Sequence, residues 1–163
     1  MKGLLDMDDR SIEIERFTFA IDLIRKKFPE VHIVIDEDEI DEYYFGMHTT
    51  ADIKRQPGVD FDIGINLQNR DELHLCAETL WACYFPVGEK GPFDKFIDAL
   101  FGLLSGEYRI VEHLLWGSLI KTELQKPCGR EWQTIFTSSA ATVILELIPL
   151  PRKKRYIQNL IKT

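Results

Sequence analysis

Asp60 and Asp62 stand two apart in the stretch Val59-Asp60-Phe61-Asp62-Ile63-Gly64-Ile65-Asn66-Leu67. On a strand that spacing projects both carboxylates from one face, as paired ligands for magnesium or manganese require. With Glu78 or His74 as a third ligand, the pair would serve a divalent-metal-dependent hydrolase. The same alternation also describes any strand with one solvated face, and no Gly-Ser pair or nearby lysine completes a nucleotidyltransferase or nuclease pattern. His74 and Cys76 likewise share a strand face, and His113 would supply a third soft or nitrogen ligand. Cys83 lies seven residues from Cys76, an odd separation that puts it on the opposite face of an unbroken strand. The simpler expectation at these positions is a half-buried histidine and a small buried thiol within a sheet, with no metal and no cofactor bound.

Other catalytic patterns are missing. There is no G-x-S-x-G elbow, and Ser105 before Gly106 reads as a helix end. Gly58, Gly64, Gly88 and Gly91 lack the spacing of a dinucleotide or phosphate loop. The three cysteines, Cys76, Cys83 and Cys128, include no C-x-x-C pair and are expected as reduced thiols. Arg152-Lys153-Lys154-Arg155 is the one basic cluster in a chain of pI 5.1, and it reads as the solvated first turn of a terminal helix; no nucleic-acid partner is expected. Trp81, Trp116 and Trp132 could line a small-ligand pocket, but a core of this size accommodates three tryptophans without one.

The unusual feature is acidic. Asp36-Glu37-Asp38-Glu39-Ile40-Asp41-Glu42 packs six carboxylates into seven residues and runs into Tyr43-Tyr44-Phe45. An EF-hand loop counted from Asp36 needs glycine sixth and glutamate twelfth but finds Asp41 and Met47, so calcium is rejected. Residues 1–78 hold 19 acids and 9 bases, net −10, whereas residues 79–163 hold 8 acids and 11 bases, net +3. A field of that sign steers cationic partners and repels nucleic acid and anionic lipid. Asp36, Glu37, Asp38, Glu39, Asp41, Glu42, Tyr43 and Tyr44 are therefore the expected partner-binding residues: aromatic anchors ringed by carboxylates, suited to a cationic protein surface.

At these residues a resemblance enters. Asp41-Glu42-Tyr43-Tyr44 resembles the acidic residues and paired tyrosines with which nuclease-colicin immunity proteins grip their basic toxins, although those proteins are helical bundles. The chain as a whole, and the segment Leu73-His74-Leu75-Cys76-Ala77-Glu78-Thr79-Leu80-Trp81-Ala82-Cys83-Tyr84, is similar in character to the α+β immunity proteins of bacterial contact-dependent growth inhibition. That resemblance implies a cytoplasmic protein that binds a toxin domain and performs no chemistry.

The elements that would position these groups follow from periodicity. Ile14, Phe17, Ile21, Ile24 and Phe28 predict a helix over 9–28, and Phe93, Phe96, Ile97, Leu100, Phe101 and Leu104 a second one ending at Gly106. Strands are expected at Val31–Ile35, Val59–Leu67, Leu73–Phe85, Tyr108–His113, Leu114–Gln125 and Arg130–Ser138, with a loop over 46–58. Pro151 opens an expected terminal helix bearing Tyr156, Ile157, Leu160 and Ile161. The 163 residues thus read as a single α+β domain, an antiparallel sheet of about six strands with helices on one face. The N-terminus turns acidic before an apolar stretch of signal-peptide length develops, so no signal peptide is expected. No run reaches the roughly 18 apolar residues of a membrane span, so a cytoplasmic location with no membrane partner is expected.

Overall fold

Apolar residues at helical spacing make both expected helices. In the computed structural model, which describes residues 10–37, 49–69, 71–139 and 152–159, α1 spans Arg10–Lys27 and α2 spans Lys90–Ser105. Helix α1 buries Phe17, Ala20, Ile21 and Ile24, and its last turn carries Arg25, Lys26 and Lys27 where the helix dipole favours cations. Helix α2 buries Phe93, Phe96, Leu100 and Leu103. It ends at Gly106, whose φ of 73° is left-handed and whose N–H donates to the Leu103 carbonyl.

Nine strands among the described residues form two antiparallel sheets. The first comprises β1 (Val34–Glu37), β2 (Thr49–Ile53), β3 (Ile63–Gln68), β4 (Glu72–Ala77) and β5 (Leu80–Tyr84), in that spatial order. The second comprises β6 (Arg109–Leu115), β7 (Ser118–Cys128), β8 (Glu131–Ser139) and β9 (Lys153–Ile157), in the order β8-β7-β6-β9. The α+β class is as expected, but one sheet of about six strands is replaced by two. Part of the expected 46–58 loop is strand β2, and the first strand is shifted to begin at Val34. The expected Leu73–Phe85 strand is two strands joined at Glu78–Thr79. The expected terminal helix is strand β9, because Lys153 to Ile157 find the free edge of β6, with Ile157 opposite Ile110.

Alternation sorts the first sheet into two faces. Ile63, Ile65, Leu67, Leu73, Leu75, Ala77, Leu80 and Ala82 are buried on one of them, against which both helices lie. The second sheet adds Ile110 and Leu124 to the same core. Tyr84 joins the layers, meeting Phe96 edge-on at 5.5 Å between ring centroids and Phe136 at 6.2 Å.

A polar contact also ties the sheets. Glu112 on β6 is almost fully buried. Its carboxylate accepts from Thr79 Oγ1 at 2.8 Å and from Arg155 Nε and Nη2 at 2.5 and 2.8 Å, while Thr79 also meets Thr122 at 3.1 Å. The Arg155 guanidinium, with Thr79, holds the Glu112 carboxyl below its ordinary 4.5 against the opposing effect of burial. The basic tetrapeptide expected as a solvated helical turn is therefore partly engaged: Arg155 closes this ion pair.

Two predictions follow from this packing. A Cβ at Gly102 would land inside van der Waals contact of the Tyr108 ring. Gly102→Ala should therefore destabilise by about 1–3 kcal/mol in urea unfolding, despite the roughly 1 kcal/mol that alanine normally contributes in a helix. Because the folded-state pKa of Glu112 is depressed, its ion pair stabilises above the unfolded value near 4.5 and is lost as pH falls through the lower folded value. The difference in melting temperature between wild type and Glu112→Gln should be present at neutral pH and shrink as pH drops below that range.

Candidate functional site

The second face of the five-stranded sheet points outward, and its composition is set by the β4–β5 hairpin. Ala77 pairs with Leu80 across a two-residue turn in which Glu78 takes φ of 52°. The turn places His74 opposite Cys83 and Cys76 opposite Trp81. Asp36, Thr50, Asn66, His74 and Cys83 are then successive cross-strand neighbours, with Val34, Asp52, Gly64, Cys76 and Trp81 in the adjacent row.

His74 is only 7% exposed although it lies on this outer face, because Trp81 stands against it edge-on with ring centroids 5.6 Å apart. Trp81 Nε1 donates to His74 Nδ1 at 2.7 Å, and His74 Nε2 lies 3.0 Å from Glu72 Oε2. An indole N–H can only donate, so Nδ1 must present a lone pair. A neutral imidazole then carries its proton on Nε2 and donates it to Glu72. Asn69 Nδ2 donates to the same Glu72 oxygen at 2.9 Å. These two hydrogen bonds, Asn69's first, hold the Glu72 carboxyl below its usual range.

Trp81 is thereby fixed at its one polar atom while 55% of its surface faces solvent. The acidic side chains of this face are spread across the sheet, with Asp36 and Trp81 on its opposite edge strands. Asp36 on β1 is exposed, and Asp52 and Glu72 lie on the same face. Lys54 pairs with Asp52 at 3.3 Å and with Asp62 at 3.7 Å. Val34, 49% exposed, and Phe85, 59% exposed just beyond the end of β5, add apolar surface.

Of the expected partner-binding residues, Asp36 lies on this face and Glu37 ends β1. Asp38, Glu39, Asp41, Glu42, Tyr43 and Tyr44 lie outside the described residues. The expected carboxylate pair is displaced: β3 begins at Ile63, so Asp60 and Asp62 precede the strand and its alternation does not govern them. Asp62 accepts from the Arg55 N–H at 2.7 Å, and the Asp60 N–H donates to Asn159 Oδ1 at 2.7 Å. Glu78 pairs with Arg55 at 3.6 Å. His113 belongs to the other sheet, where its Nε2 lies 3.3 Å from Glu123 Oε2. The three tryptophans do not converge: Trp116 occupies the exposed β6–β7 turn, and Trp132 on β8 is stacked by the Arg109 guanidinium at 3.9 Å.

Cys83 is the main correction. The strand on which its opposite-face position depended is broken at Glu78–Thr79, so Cys83 returns beside His74. Glu72, His74 and Cys83 each bring a ligand atom to within 4.8 Å of the others. The thiol holds its proton in this setting, since burial and the nearby Glu72 and Asp71 carboxylates push its pKa up. Cys76, the sulfur expected beside His74, is likewise pushed up by burial and accepts from Asn66 Nδ2 at 3.9 Å. One signal in the sequence bears on this: Leu73 to Phe85 is more than twice the usual strand of about 5–6 residues.

Compared with protein-family models, curated proteins and solved structures, the chain matches none. Among the described residues, no helix is long and apolar enough to cross a membrane.

Removing the indole donor tests the arrangement. Trp81→Phe keeps an aromatic ring but leaves the buried His74 Nδ1 without its partner, and should cost about 1 kcal/mol of unfolding free energy. Trp116→Phe, at 83% exposure, should change stability by well under half of that.

Proposed function

We propose that this chain is a non-catalytic protein-binding protein, an immunity protein that neutralises a cognate bacterial toxin in the cytoplasm by direct contact. Its docking surface is the outer face of the five-stranded sheet together with the acidic and aromatic run that continues from β1. The observation that carries the reading is Trp81, half exposed and already held by His74. An aromatic residue with its polar atom satisfied and its side chain fixed loses little entropy when a partner covers it, which is the property of an interface anchor. Glu72, linked to it through His74, and Asp36 at the far edge of the same sheet carry the sign of charge that a basic toxin domain complements. The neighbouring thiol supports a binding role in another way: Cys83 is kept protonated, the opposite of what a nucleophile needs.

The test is to search the neighbouring reading frames for a toxic domain and to co-express it with this chain. The wild-type chain should restore growth and bind that domain in purified form. Trp81→Ala should weaken binding by about 2 kcal/mol, roughly thirtyfold, mainly through faster dissociation. Replacing Asp36, Asp38 and Asp41 with asparagine should instead slow association and reduce its salt dependence, with little change in melting temperature. A neighbourhood without such a domain, or rescue and affinity indifferent to Trp81→Ala, would overturn the proposal.

A further inference from the structure

We propose that Glu72, His74 and Cys83 form a binding site for a borderline divalent transition-metal ion, Zn2+ in the first instance. The site needs only the hairpin and does not rest on the partner-binding reading, although its occupancy would free the Trp81 side chain on which that reading relies. Three ligands of different type, a carboxylate oxygen, an imidazole nitrogen and a sulfur, lie within 4.8 Å of one another. Their backbone positions are set by strand pairing: His74 and Cys83 are direct cross-strand partners, and Glu72 is two residues from His74 on the same face of β4. Little ordering is therefore left for the metal to impose. A mixed sulfur, nitrogen and oxygen set selects zinc and its neighbours over magnesium and calcium, which take oxygen ligands. Three protein ligands leave a fourth, open position.

The proton movements follow from the hydrogen bonds. Glu72 is already ionised at neutral pH. Cys83 must lose its thiol proton to solvent, so one proton is released for each ion bound. The imidazole nitrogen that faces Glu72 is Nε2, and to coordinate there it must give up its proton, which moves to Nδ1. That nitrogen now accepts from Trp81 Nε1. Two N–H groups cannot share one hydrogen bond, so coordination at Nε2 and the Trp81 to His74 bond exclude each other. Metal binding releases Trp81 from its fixed position.

Co2+ serves as the spectroscopic probe and Zn2+ as the calorimetric one, using the reduced, metal-free full chain with Cys76→Ser and Cys128→Ser in the background. One Co2+ per chain should bind with a thiolate-to-cobalt charge-transfer band, and Zn2+ should displace it. Cys83→Ser, at an exposed position, should abolish the band and weaken Zn2+ binding on the order of a hundredfold. Glu72→Gln should weaken it about tenfold or more. Trp81→Phe should do the reverse: with the competing hydrogen bond gone, Zn2+ should bind about fivefold tighter. Indole emission should shift on Zn2+ binding in the parent protein and not in Trp81→Phe. Absence of a thiolate band, its persistence in Cys83→Ser, or Zn2+ affinity that is unchanged or reduced by Trp81→Phe would overturn the proposal.

Discussion

The two-residue turn at Glu78–Thr79 is the constraint on which the rest depends. By folding the Leu73 to Phe85 segment back on itself it fixes the register that puts Trp81 and Cys83 beside His74. The same turn carries Thr79 across to the buried Glu112 carboxylate, where the second sheet begins. One local backbone choice, with Glu78 at φ of 52°, thus sets both the outer face of the first sheet and the polar seam to the second. A slip of one residue would invert every side chain of β5 between core and solvent, and the buried series Leu80, Ala82 and Tyr84 holds the register against it.

What the sequence made legible follows from how local each signal is. The two helices declare themselves because their apolar residues recur within a few positions, and Gly106 marks an end. The β7–β8 hairpin is signalled by the turn chemistry of Lys126-Pro127-Cys128-Gly129, but the turn lies later, at Gly129 and Arg130, and Lys126 to Cys128 pair within the sheet with Gln133 to Glu131. The turn at Glu78–Thr79 has none: glutamate and threonine carry no glycine, asparagine or proline signal, so a hairpin was concealed inside an apparently continuous apolar stretch. Strand β2, Thr49 to Ile53, lacks a strong apolar pattern, and β9 contains three consecutive cations. Their strand character comes from pairing with β1 and β3 in one case and with β6 in the other, which is tertiary context that overrides local propensity. Asp60 and Asp62 failed in the converse way. Their alternation with Phe61 and Ile63 is real, but the pairing that gives alternation its geometry begins one residue later.

The candidate site was legible only in its charge. The acidic run beginning at Asp36 announces itself, and β1 carries its first residue onto the outer face. His74, Trp81, Glu72 and Cys83 were individually noticeable residues whose relation depended on the hidden turn. Once that turn is in place, ordinary hydrogen-bond chemistry does the rest: a donor-only indole dictates the imidazole tautomer, the tautomer directs a proton at Glu72, and Glu72 stays ionised. The result is an aromatic side chain held at its polar atom, close to an ionised Glu72 and beside a thiol that remains protonated. Those are the properties on which the proposed recognition of a cationic protein rests.

The tautomer of His74 is the most direct measure of whether Trp81 is held in this way. Long-range proton–nitrogen correlation spectra of the metal-free protein at neutral pH distinguish the two ring nitrogens. A pinned Trp81 requires Nε2 protonated, Nδ1 bare, and an indole proton of Trp81 that exchanges more slowly than that of Trp116. A His74 protonated at Nδ1 would contradict the Trp81 to His74 hydrogen bond, and with it the fixed anchor on which the proposed binding face rests.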